Sequence, residues 1–411
     1  MSGKHCTLAG IAILAGITAA AIESAGQDWT QWRGPNRDGT VTSFTEPRAW
    51  PEQLTQQWKV EIGLGYATPL VVGNKIYQFS RQGEDEVMSA LEAATGKLLW
   101  RTAYPASFKM HPNAARHGPG PKSTPLYADG KLYSIGMTGT VTALDAATGK
   151  TLWRKPGSPV MPRFTSHAFS PLLDRGLVIF HVGGHNQGAL TAFDANTGEE
   201  KWSWKGDGPG YGSPMVAELG GTRQIVAITQ TKLVGVDAAT GALLWERPQE
   251  TPNFTNALTP IVYGQTLIIS GRENPIIAVT VAKRDNQWIT ETVWENADAT
   301  MRMSNGVIVG DKFFSLSSLN SGQYFSMDAK TGKTLWKSEG RQAVNAAILK
   351  AGDTIFSLEN DGEMVVFRGG QTGFESMRRY KVAETETWAA PVIQGNRVFV
   401  KDVSSLALWT F

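Results

Sequence analysis

From about residue 58 onward, apolar positions come in short runs of strand length, broken by turn residues, and one junction between two such runs recurs. It is clearest as Ala143-Leu-Asp-Ala-Ala-Thr-Gly-Lys-Thr-Leu-Trp153, and it returns at 90–100, 192–202, 235–245 and 326–336. Each copy closes one apolar strand, turns through Asp-Ala-X-Thr-Gly and leaves on a second strand ending in Trp. Asp and Thr side chains bond the backbone of such a turn and Gly supplies positive φ, so the unit predicts a β-hairpin.

Once the period is known, weaker copies appear. Val293-Trp294 ends a degenerate hairpin, and Tyr380 takes the Trp position after a turn at Gln371-Thr-Gly373. Trp58 lies on a strand with no hairpin before it, and the strands at 397–401 and 405–409 have no Trp strand after them. The resulting positions, Trp58, Trp100, Trp153, Trp202, Trp245, Trp294, Trp336 and Tyr380, are spaced 42 to 53 residues apart. A period of roughly 40–50 residues with four strands per unit predicts propeller blades. The fold class expected is all-β, an eight-bladed β-propeller of four-stranded antiparallel blades. Residues 58–411 form the ring, and the strand around Trp58 completes the blade begun at 389–411. Each Trp is expected to lie across the Ala and Gly of the neighbouring hairpin.

The innermost strand of each blade is preceded by a polar or aromatic turn, and propeller geometry gathers these turns around one mouth of the central channel. The candidate ligand-binding residues are therefore His167, Tyr211, Asn256, Arg302, Asn345 and Trp388, with Arg116, His117 and Lys122 from the long Pro/Gly-rich loop at 106–122. Cationic and amide donors beside aromatic faces suit a ligand with oxygen acceptors and a flat or apolar body, such as a sugar, a quinone or a peptide segment. A hydrated opening without a ligand is the competing reading.

Composition changes the picture little. The 411 residues include 44 Gly, 20 Pro and 14 Trp, which suits a turn-rich β protein, and a net charge of +2 gives no case for nucleic acid. Residues 1–26 combine a short basic start, an apolar run at 8–22 and small residues after it, the pattern of a secretory signal peptide. A periplasmic or secreted protein is expected, with no transmembrane segment after signal removal and a monomeric state. The one cysteine, Cys6, precedes the apolar run, so the mature chain carries no disulfide or lipid thiol. Residues 27–57 hold Trp29, Trp32 and Trp50 among turn residues and predict an arm stapled to the propeller by Trp29 and Trp32.

The Ala-X-Asp-Ala-X-Thr-Gly-X-X-X-Trp unit resembles the Trp-docking repeat of the PQQ-type (quinoprotein) β-propellers, and the segment at 28–39 resembles the Trp-Arg-Gly-Pro leader of secreted bacterial members. That superfamily contains PQQ-dependent alcohol dehydrogenases and the propeller lipoprotein of the outer-membrane assembly machinery. The resemblance implies the fold and leaves two functions open. One is a binding or scaffold propeller taking a protein or a small molecule at the channel face. The alternative is a quinoprotein-like oxidoreductase of alcohols or sugars, carrying PQQ with calcium. Against the second, the mature chain lacks adjacent cysteines and long insertions, and neither Asp207 nor Asn256 sits in a recognisable motif. No metal site is expected: His181 and His185 are about 13 Å apart along an extended strand, and His111 and His117 have no acidic partner nearby. No catalytic triad or phosphate-binding glycine loop appears.

Overall fold

The computed structural model describes residues 26–163 and 167–411; the expected leader, apart from Gly26, lies outside the described residues. Eight four-stranded antiparallel sheets follow one another around a ring. Blade 1 runs through Leu70–Val72, Lys75–Gln82, Asp85–Glu92 and Leu98–Pro105, and six more repeat its order up to Ser376–Lys381 of blade 7. Blade 8 takes its inner strands from Val392–Gln394, Arg397–Lys401 and Ser405–Thr410 and its outer strand from Thr55–Glu61. The seam pairs Trp58 with Leu408 and Glu61 with Ser405, so the ring closes with its own ends, as the unpaired Trp58 strand predicts. Closure gives the last blade its fourth strand, and the blades keep only short edges.

The recurring hairpin has the expected chemistry. At Asp145 the carboxylate accepts from the Thr148 amide at 2.8 Å and the Thr148 hydroxyl at 2.7 Å. The bonds from Thr148 hold the Asp145 carboxyl below its ordinary range. The turns at Asp194, Asp237 and Asp328 repeat this geometry. One residue before each turn the register shifts, which leaves Ala143 opposite Trp153 and Ala192 opposite Trp202. Small residues under the indoles are thus a requirement of packing. The indole of Trp153 crosses to blade 3, where its N–H donates to the Ala195 carbonyl at 3.2 Å. A Cβ added at Gly198, whose φ is +69°, would lie 2.7 Å from that ring.

Trp58, Trp100, Trp202 and Trp294 dock in the same way on Ala93, Ala146, Ala238 and Ala329. Trp245 departs from the expectation. Its N–H bonds Gln224 of its own blade at 2.6 Å, because blade 5 turns at Asp285-Asn286 without the Asp-Ala-X-Thr-Gly carbonyl. Trp336 reaches the Gln371 carbonyl and meets Phe374 in place of a glycine.

The inner ends of the blades are stitched by a second device. The Ala390 amide donates to the Thr68 hydroxyl, the Thr68 amide to Thr124 and the Thr124 amide to Ser170. The chain of bonds continues from Ser170 to Ser213, from Ser213 to Thr259 and from Thr259 to Asn305 Oδ1. Blade 7 joins through the Ala346 amide and the Ser304 hydroxyl at 3.0 Å. The Ser/Thr-Pro pairs at the blade entrances therefore serve the ring.

The arm before Thr55 crosses the molecule. Trp29 forms an antiparallel bridge with Val71 and is fully buried, so it belongs to the core where blades 1, 7 and 8 meet. Arg37 then donates to the Ser170 and Pro171 carbonyls of blade 3. Arg33 donates to Asn305, Gly306 and Ile348 at the entrances of blades 6 and 7. Blades 3 and 7 stand four apart in a ring of eight, so the segment lies on a diameter of the channel. Beyond it, Val41 bonds Lys350, and Phe44 and Trp50 pack with Phe356 and Phe411.

Candidate ligand site at the channel mouth

Where the arm crosses the axis, its Trp32 faces both ends of the channel and divides it. Trp32 is consequently a floor, and the expectation that it staples the arm to a blade is corrected. The Arg33 and Arg37 guanidiniums lie 5.6 and 5.5 Å from its ring and hold it across the channel. Burial lowers these arginines to about 10 and about 9, and both stay cationic at neutral pH.

Above Trp32 lies a cavity of about 340 Å³, within the size range of small-molecule sites. Six of the nine residues expected at the mouth line it: His117, Lys122, Tyr211, Arg302, Asn345 and Trp388. Arg116 stands behind the wall. Its guanidinium covers Trp388 at 5.4 Å and pairs with Glu386 at 3.6 Å. His167 and Asn256 are corrections. The His167 ring is buried with Nε2 2.7 Å from the Gly183 carbonyl, and Ala168 lines the cavity instead. The Asn256 amide is buried and donates to the Thr229, Gln230 and Gln249 carbonyls. Both shape loops, because an inner-strand turn has an inward and an outward side and strand order alone does not say which residue faces the axis.

Several lining residues lay outside the sequence-based set. Tyr66 occupies the blade 1 entrance, and Arg272 follows the second strand of blade 5, Thr266–Gly271. Asn113 and Asn253 come from two loops with short 3-10 turns, Pro112–His117 and Pro252–Phe254. The 53-residue spacing between Trp100 and Trp153 marks the first loop. For the second, the 49 residues between Trp245 and Trp294 are the available signal.

The cavity has one electrostatic character. Lys122, Arg272 and Arg302 line it, and among the described residues no carboxylate does. Lys122 Nζ donates to the Gly118 and Gly120 carbonyls, which shapes the 106–122 loop, and burial lowers it to about 7. His117 stands edge-on to Trp388 at 4.7 Å. Burial, and then the charges of Lys122 and Arg116, lower it to about 4, so it is a neutral imidazole at pH 7. Burial also lowers Arg302, and Arg272 and Arg116 add repulsion. Tyr66 is pushed up to about 12 by burial and by Glu386.

This donor set does not fit a PQQ-bound calcium ion. A hard divalent cation takes carboxylate and carbonyl oxygens, whereas this wall offers two guanidiniums and an ammonium. Among the described residues no group of three or more His, Cys, Asp or Glu is placed to hold a metal ion. Asp207, once a conceivable base, is occupied by the Thr229 and Thr231 hydroxyls and the Thr231 and Gly208 amides. His181 and His185 bond separate partners, the Asp207 carbonyl and Gln230. No helix among the described residues is long and apolar enough to cross a membrane.

Fold and repeat together define an eight-bladed propeller with Trp-docking PQQ-type repeats and a cationic cavity at one mouth. The chain belongs to the PQQ_2 family, whose profile is described as outer membrane protein assembly factor BamB and matches residues 84–312 and 290–408. The assembly factor BamB of Burkholderia pseudomallei is 25% identical over 363 residues, covering 84% of this chain and 85% of that protein. The quinohemoprotein alcohol dehydrogenase ADH-IIG of Pseudomonas putida is 26% identical over 310 residues, 70% of this chain but only 39% of the dehydrogenase. Among solved structures, the quinohemoprotein alcohol dehydrogenase of Comamonas testosteroni superposes with a TM-score of 0.65 at 16% identity, over 93% of this chain and 80% of that one. At that identity the likeness concerns the fold alone.

Proposed function

We propose that this protein is a periplasmic or secreted binding propeller that takes its ligand, a small molecule or an exposed group of a protein partner, in the channel-mouth cavity. One observation carries the reading: the blade entrances and two extra loops converge on a walled cavity with an aromatic floor, far richer in side chains than inner-strand packing requires. Family members with BamB-type names favour a binding or scaffold role over chemistry. The oxidoreductase reading draws on the dehydrogenase relatives, but among the described residues the cation-rich wall supplies no carboxylate for the calcium that such a cofactor would bring.

The test is a thermal-shift and calorimetric screen of small molecules and peptides on the wild type, on Trp388→Ala and on Ala257→Trp, which fills the cavity. Genuine ligands lose binding in both variants while circular dichroism stays that of the wild type. Hits that survive both substitutions overturn the channel-mouth site. Dye-linked alcohol oxidation after adding PQQ and calcium would overturn the binding reading in favour of the enzyme.

A further inference from the structure

The chemistry of the wall names the ligand more closely, and the inference rests on the channel-mouth reading above. Among the described residues Arg302 has no hydrogen-bond or ion-pair partner, although it sits beside two other guanidiniums. Glu386 and Glu273, whose charges act on residues of the wall, do not line it and are engaged: Glu386 by Arg116 and the Trp388 N–H, Glu273 by Arg272. Arg302, set among guanidiniums whose own carboxylates are already engaged, is a standing electrostatic cost that a bound carboxylate relieves, and a guanidinium is shaped for carboxylate oxygens.

The rest of the wall is neutral hydrogen-bonding groups and rings. Asn113 and Asn253 line it from two separate loops, and Trp388 and Trp32 supply flat apolar faces. Asn253 and Phe254 both hold left-handed conformations, φ +60° and +57°, which asparagine tolerates but which is a genuine outlier for phenylalanine. Phe254 is clamped between Arg163, 5.2 Å from its ring, and His185 at 5.4 Å, so the strained turn that presents Asn253 to the cavity is held in place from behind. Strain of this kind persists only where surrounding contacts over-determine it, and it gathers at binding sites.

Amides for hydroxyls, ring faces for the C–H face of a pyranose and guanidiniums for a carboxylate describe one class of ligand. We propose that the cavity is a metal-independent site for an acidic sugar, a uronate residue at the end of a glycan or alone.

Calorimetry on the full chain with digalacturonic acid, its dimethyl ester and inorganic phosphate tests the assignment, each with and without a chelator. The acid is expected to bind equally well with chelator present. Its ester, which keeps the ring and loses the charge, should bind on the order of ten- to a hundredfold more weakly, the range of a charge-assisted hydrogen bond. Arg302→Gln should bring the acid down to the level of the ester with an unchanged melting temperature, and Asn253→Gly, which relaxes the turn, should weaken both sugars. Ester binding as tight as the acid, phosphate binding as tight as the sugar, a need for calcium or the absence of binding each overturns the acidic-sugar site. If the broader screen then yields another ligand that depends on Trp388, channel-mouth binding stands and only the ligand class falls. If it yields none, both fall.

Discussion

Lys401 is fully buried at the seam, and its ammonium donates to the Gly65, Asp402 and Val403 carbonyls at 3.0, 2.7 and 3.1 Å. Burial lowers it from 10.5 to about 7, with Asp402 and Glu61 opposing. Between pH 7 and 10.5 the unfolded chain therefore carries a proton that the folded chain lacks, and stability rises with pH across that window. Lys122, also lowered to about 7, acts in the same direction. Lys401→Met should therefore roughly halve the rise in denaturation midpoint between pH 7 and 10, as read by urea titration. A rise of unchanged size would show that Lys401 keeps its proton in the fold. Such residues were hidden in the sequence. Lys401, Arg33 and Arg37 look like solvated surface charges, since arginine and lysine are seldom buried without an acidic partner, and each has a carbonyl acceptor far away along the chain, such as Gly65, Gly306 and Pro171.

Among the elements, the Trp-closed hairpin was the most legible, because its meaning repeats. Asp145, Thr148 and Gly149 fix the turn locally, and Trp153 declares the neighbour it needs. The exception at Trp245 was legible only as a degenerate fifth hairpin; that Gln224 replaces the missing carbonyl depends on a contact between strands of blade 4. Trp29 staples the arm as the sequence predicts, but a segment without strand alternation gives no sign of how deeply it is buried. Trp29 is 0% exposed and Trp153 9%. Trp153→Ala and Trp29→Ala should therefore each cost about 3–5 kcal/mol, the range for a large buried aromatic, in place of the smaller loss that a surface staple implies. Equilibrium unfolding of the two variants checks this, and a loss under 1 kcal/mol at Trp29 would mean that the arm detaches without disturbing the core.

For the whole molecule, the number of blades and the closing seam were readable because the two chain ends lack complementary parts. The site was readable to the extent of its six lining residues, while its floor came from the arm and its further cation, Arg272, from a second strand. Neither obeys the repeat that located the others. Closure by the ends also makes stability a property of the ring. A chain ending at Ser404 loses the strand that joins Arg397–Lys401 to Thr55–Glu61, and it should lose the single cooperative unfolding transition as well. Calorimetry of that truncated chain, showing a broad or multiphasic transition with early melting, is the expected outcome; a sharp transition at the wild-type temperature would mean that seven blades suffice.

Trp32, laid across the axis between Arg33 and Arg37, makes the channel a blind well. A polymer has no exit on the far side and cannot thread through, so only a chain terminus or a side branch can be read, and it must back out by the way it came. Two ligands cannot queue in such a well. Under the binding function proposed above, whatever occupies the mouth excludes every other candidate.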